Sequence, residues 1–213
     1  MTTVFIWNNN NIISRINTQL SHYTIGHSSL NITDNWGECQ ITLNPYVSWW
    51  GNGYSTPISD IVIEQVRNDM LIECYAPDHI IKIHNIKLDT AKMLSTWTAL
   101  RTNRKVKYSM AFNNCADIAS RILLAGVRSN FKFMHKRLVW TPLQVKRLAY
   151  SLGGRDVSWL YFMRELANDS DVPKPLIEWL QHESHRRSSR HGYKAAARPR
   201  FVKGIDTTKK PMR

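Results

Sequence analysis

The chain has 213 residues, 43% of them hydrophobic, with eight Trp and eight Tyr, which is enough for a sizeable core and excludes a disordered protein. The net charge of +13 is uneven: residues 186–213 hold ten Lys/Arg against the single acid Asp206, leaving only about +4 on the body. The basicity therefore describes a tail rather than a groove on the fold. No run of eighteen apolar residues is present, and the first residues lack a basic, apolar leader, so neither a membrane span nor a secretory signal is expected. Three cysteines, Cys39, Cys74 and Cys115, show no CxxC spacing, which argues against a disulfide framework or structural zinc; no metal and no cofactor are expected.

In chain order, Thr2–Trp7 alternates as a strand and Ile12–Leu20 suits a short helix. Tyr23–Ile32 and Glu38–Trp50 are β-rich and flank Thr33-Asp-Asn-Trp-Gly37, whose Asp, Asn and Gly predict a hairpin turn. Gly51-Asn-Gly53 and Pro57 break the pattern; Ile58–Val66 and Asp78–Ile86 have further β character, with His79 and His84 flanking an expected edge strand. Leu88–Leu100 reads as a helix capped by Asp89, with Met93, Leu94, Trp97 and Leu100 on one face. A helix from Cys115 to Ala125 follows, capped by Asn113 or Asn114 and stopped by Gly126. Another opens with Thr141 as cap and Pro142 in its first turn, and Gly153-Gly154 ends it. Val157–Ala167 and Pro173–His182 are expected to be helical, and the last thirty residues a flexible tail.

Cys115 sits at the first turn of its helix, where partial positive charge and free backbone N–H groups favour thiolate and can hold an oxyanion. A packed core thiol is the plain alternative. Such a nucleophile needs a base, and His27, on a strand beside Gly26, Ser28 and Ser29, is the best placed of eight histidines, with His22 second. A half-buried structural histidine is the alternative there.

Gly26-His27-Ser28-Ser29-Leu30, Tyr46-Val-Ser-Trp-Trp50, Leu88-Asp89 with Trp97, Asn114-Cys115-Ala116 and Trp140-Thr-Pro142, in that order, resemble the circularly permuted papain-like cysteine enzymes of bacterial toxins and effectors. These are distant relatives of the NlpC-type peptidases and of lecithin:retinol acyltransferase. The group includes type VI secretion effectors of the TseH kind and the Rho-inactivation domains that acylate lysines. The resemblance covers roughly residues 20–152, and Ala116 departs from it where serine is more usual.

It implies an α+β fold, with an antiparallel sheet, the nucleophile helix packed on it and extra C-terminal helices. The expected organisation is a catalytic domain at 1–155, a helical extension at 156–185 and a basic flexible tail at 186–213. Cys115 is the implied nucleophile and His27 the general base. The orienting residue is expected on the strand after the histidine. A turn centred near Asn35 places Thr42 to Asn44 opposite His27 and so offers Asn44, whereas Glu38, like Asp34 nearer the turn, would need a different register. Trp50, Ser28 and Asn114 are the expected substrate-lining residues, with Trp49 in the core.

The implied function is cysteine-dependent acyl transfer by a secreted effector toxin, first as an amidase or peptidase of cell-wall peptides. A fatty acyltransferase or lipid (thio)esterase is the alternative. Such a protein is made in the bacterial cytoplasm without a signal peptide and delivered by a secretion system. Its expected partners are a cell-wall peptide or acyl-lipid substrate, an immunity protein, a secretion-apparatus or chaperone protein, and an anionic surface held by the tail. From another class, the tail alone could make a nucleic-acid or anionic-surface binder, but no motif supports specific nucleic-acid recognition.

Overall fold

In the computed structural model, which describes residues 1–8, 26–33, 45–50, 61–73, 76–84, 88–109, 112–127 and 139–190, the first strand occupies the middle of the sheet. β1 (Thr2–Asn8) pairs antiparallel with β2 (Gly26–Asn31) on one side and β4 (His79–Ile83) on the other. β3 (Tyr46–Val47) adds beyond β2 and β5 (Gly154–Val157) beyond β4, giving the order β3-β2-β1-β4-β5 with every pairing antiparallel.

The sequence of β1 explains its place. Val4 and Ile6 point to one face while Phe5 and Trp7 point to the other, so both faces must be covered. α2 (Thr90–Thr102), α3 (Cys115–Ala125) and α4 (Pro142–Ser151) cover the first face. There Met93, Ile118, Ile122 and Leu148 pack on Val4, Ile6, Leu30 and Ile81. α1 (Val62–Glu73), α5 (Trp159–Asn168) and α6 (Lys174–Arg190) cover the second, where Val66, Met70, Phe162 and Leu180 meet Phe5, Trp7 and Ile80. The described residues thus form an α+β fold with a five-stranded antiparallel sheet between two helical layers.

The helix starts follow their local chemistry. Asp89 accepts from Lys92 N–H at 2.9 Å, Asn114 from Asp117 N–H at 2.8 Å and Ser158 from Tyr161 N–H at 3.1 Å. Thr141 and Gln144 form a capping box around Pro142.

Several expectations are corrected. The stretch expected to be β-like at 58–66 enters a helix, because Val62, Ile63, Val66 and Met70 all lie on the side of α1 that meets the sheet. His79 opens an interior strand rather than an edge one, since β5 pairs with β4 beyond it. Gly154, expected to end one helix, and Val157, expected to begin the next, instead bound that strand. The boundary expected at 155/156 therefore falls inside β5, and the helices after it close the second face of the same sheet. α6 continues through Arg190, past the expected tail boundary at 186. The Ile12–Leu20 helix, the 33–37 turn beyond Thr33 and the tail from 191 lie outside the described residues.

Gly154 shows how tightly β5 seats. A Cβ there would stand 2.6 Å from the Ala149 carbonyl oxygen and 2.7 Å from Ile81 Cγ2. Gly154→Ala is expected to lower the unfolding free energy by about 1–3 kcal/mol, measured by urea denaturation, because backbone and a core isoleucine must shift to admit one methyl.

Candidate active site

β2 begins at Gly26 with φ 95°, a backbone state that side-chain-bearing residues rarely adopt, so the chain turns sharply into the strand just before His27. α3 begins after Asn113, at φ 57°, and its cap Asn114, whose Nδ2 also donates to the Trp140 carbonyl at 3.1 Å. These two starts meet: Cys115 Sγ lies 3.9 Å from the Gly26 carbonyl oxygen. Cys115 is 7% exposed, and its own and the Ala116 N–H groups belong to the first turn, where the helix offers no acceptor.

His27 is fully buried. Its Nε2 lies 3.1 Å from Ser48 Oγ and 3.3 Å from Asp69 Oδ2. Nδ1 has no hydrogen-bond partner, while the Cys115 sulfur is near enough to act on the charge of the ring. The ring stacks on Trp50, with centroids 3.9 Å apart and planes 12° from parallel. Trp7 lies against it at 5.4 Å.

Asp69, on the buried side of α1, is the centre of a hydrogen-bond cluster. Its Oδ1 accepts from Ser48 Oγ at 2.8 Å and Trp50 Nε1 at 2.9 Å, and its Oδ2 accepts from the Tyr46 hydroxyl at 2.5 Å. Tyr46 also meets Ser29 Oγ at 2.7 Å. Burial, then the Asp69 charge, raises the Tyr46 hydroxyl well above its ordinary range, so it keeps its proton and donates. For His27, burial opposes the charged ring. The charges of Asp69 and then Cys115 oppose that burial, and the balance raises the imidazole from 6.5 to about 10. The Tyr108 hydroxyl is pushed up to about 12 by burial, then by the charges of Cys115 and Glu73.

The structure therefore brings Cys115 and His27 together and adds Asp69, Ser48 and Tyr46, which sequence reasoning did not select. The β2–β3 register explains the miss. Leu30 pairs with Val47 and Asn31 with Tyr46, and that register carried onward sets Trp50, not Thr42 to Asn44, across from His27. The carboxylate that meets the His27 ring comes from a helix rather than from a strand. Asn44, Glu38 and His22 lie outside the described residues. A signal for Asp69 was present: it is an acid set between Val66 and Met70 on an apolar helix face.

The substrate-lining expectations change as well. Trp50 is buried against His27 and Asp69, fixing both groups rather than walling an open pocket. Ser28 is buried on the α3 side of the sheet, opposite His27, because successive strand residues face opposite ways. Asn114 is a cap tied to Trp140. Trp49 packs on the first-face core and edge-on to Trp97, as expected. Among the described residues no His/Cys/Asp/Glu group is arranged to hold a metal ion.

An α+β protein with a cysteine at a helix start, a buried histidine and a buried aspartate is the class this geometry defines. Residues 54–156 match the sequence model of the IcsB middle domain, just under half of the chain. The likeness is to a domain of a bacterial effector, and it takes in Asp69 and Cys115 but not His27. No curated protein and no solved structure matches the chain.

Two measurements probe this cluster. Because the folded His27 is raised above its unfolded value, its contribution to stability is full below pH 6.5 and is lost as pH rises towards about 10. Denaturation at stepped pH should show unfolding free energy falling across that window, and Asp69→Asn should flatten the slope. Trp50→Phe keeps a stacking ring and loses the N–H, whereas Trp50→Leu loses both. The His27 midpoint followed by imidazole NMR should fall more in the leucine variant, since the aromatic face favours the charged ring.

Proposed function

We propose that the protein is a cysteine-dependent acyl-transfer enzyme of the bacterial-effector class. Cys115 is its nucleophile, His27 its proton carrier and Asp69 the positioning carboxylate. The observation that carries the reading is the buried His27 ring, with Nε2 on Asp69 and Ser48 and Nδ1 left for Cys115. That orientation of the ring is the one a sulfur nucleophile needs, and the carboxylate behind it stabilises the protonated ring.

In the proposed reaction, His27 already carries the proton from Cys115 on Nδ1 and the sulfur attacks a substrate carbonyl carbon. The carbonyl π electrons move to oxygen, facing the N–H groups at the start of α3. As the oxyanion collapses, the bond to the leaving group breaks and that group takes the proton from His27. A thioester on Cys115 remains. An acceptor then gives its proton to His27 as it attacks the thioester, and the sulfur leaves to restore the pair.

Amide bonds of cell-wall peptides, with water as acceptor, are the first proposed substrates. Transfer of a fatty acyl group to an amine uses the same thioester. The low exposure of Cys115, 7%, supports this second reading, because bulk water has little access to a covered thioester. As an effector, the protein would be delivered by a secretion system, with an immunity protein as partner if its target is bacterial.

The test is mass spectrometry of the intact protein after mixing with cell-wall peptide fragments or with acyl thioesters. An acyl adduct on Cys115 is expected and names the donor; Cys115→Ala should carry none. His27→Ala should abolish turnover and Asp69→Asn should slow it roughly 100-fold or more, with far-UV circular dichroism unchanged. Full activity in Cys115→Ala sinks the reading.

A further inference from the structure

The segment joining α2 to α3 carries charge that the proposed chemistry does not use. From Thr90 to Ala116 there are five Lys/Arg, namely Lys92, Arg101, Arg104, Lys105 and Lys107, and no Asp or Glu. Arg104, Lys105 and Lys107 are exposed, and none of the three forms an ion pair among the described residues.

The backbone beneath these cations is pinned. Val106 packs on the first-face core, and its N–H donates to the Asn103 carbonyl at 2.9 Å. Lys105 N–H donates to Asn103 Oδ1 at 3.0 Å, and Asn113 Nδ2 donates to the Lys107 carbonyl at 3.3 Å. Phe112 N–H reaches back to Ser109 Oγ at 3.4 Å. These bonds tie Phe112 to Ser109 and its neighbour Asn113 to Lys107, and Phe112 is 59% exposed, three residues before Cys115.

One exposed ring is ordinary, and so is one lysine. A pinned turn that presents unneutralised cations with an apolar ring at their edge has the pattern of a membrane interface. The cations attract headgroup phosphates and the ring enters the boundary with the acyl chains. A duplex nucleic acid would engage the cations through its phosphates. It gives the ring at the edge of the patch no apolar phase to enter, and the patch offers no base-reading motif.

We infer that the Arg104–Lys107 turn together with Phe112 is a docking surface for an anionic phospholipid bilayer, set beside Cys115. The surface is distinct from the basic tail and stands whether or not Cys115 is a nucleophile.

The test is co-sedimentation of the full chain with vesicles of phosphatidylcholine alone or with phosphatidylserine added. Partition onto the anionic vesicles, weakened as salt rises above about 0.1 M, is expected. The triple variant Arg104→Glu, Lys105→Glu, Lys107→Glu should lose roughly 100-fold or more in partition while its tail is intact. Phe112→Ala should lose part of it with the charge unchanged, and Cys115→Ala should bind as the parent does. Undiminished binding by the folded triple variant would assign the attraction to the tail and overturn the proposal. Binding of duplex DNA in preference to the anionic vesicles would overturn it as well.

Discussion

The centre of this molecule depends on a carboxylate held away from water. Asp69 is fully buried, and an unpaired carboxylate there would cost several kcal/mol in lost hydration. Three neutral donors and an imidazole surround it, so the penalty is met by hydrogen bonds from Tyr46, Ser48 and Trp50 and by the charge His27 can carry. Removing any one donor leaves the charge less well solvated. The cluster therefore fixes three segments at once: the buried side of α1, the short strand β3 with the residues after it, and the start of β2.

That arrangement explains why so short a strand matters. β3 has two residues, yet the residues from Tyr46 to Trp50 hold the histidine from above and the aspartate from the side. Antiparallel register is what makes this possible. A shift by one residue would turn Trp50 away from His27 and send the two hydroxyls to the opposite face. The stacked indole and the carboxylate both favour a positively charged ring, so the same contacts that hold the fold also set the proton affinity of His27.

The sulfur approaches from the other helical layer. α3 packs on the first face of the sheet, while His27 projects from the second, and the two meet where β2 begins at Gly26. The cap at Asn114 and its bond to the Trp140 carbonyl fix that helix start against α4. A cysteine and a histidine from opposite sides of one sheet are thus brought together where β2 begins.

Local chemistry in the sequence was enough to determine the helix starts at Asp89, Asn114 and Thr141 and the strand character of residues 2–7, while Cys115 and His27 were paired through the order of motifs in the family resemblance. Caps, β-branched alternation and a cysteine in a first helical turn act within a few residues, so they can be read without the fold. The third member of the cluster could not be read that way. Asp69 is 42 residues from His27 and 46 from Cys115, and nothing local ties it to either. Its helix looked β-like over 58–66 because Val and Ile runs suit both states, and the hairpin register rested on a turn whose length the composition did not specify. Tertiary packing decided both. It buried the apolar side of α1 against the sheet, and it paired Leu30 with Val47 and Asn31 with Tyr46. Only then did an aspartate, a serine hydroxyl and an indole converge on one imidazole.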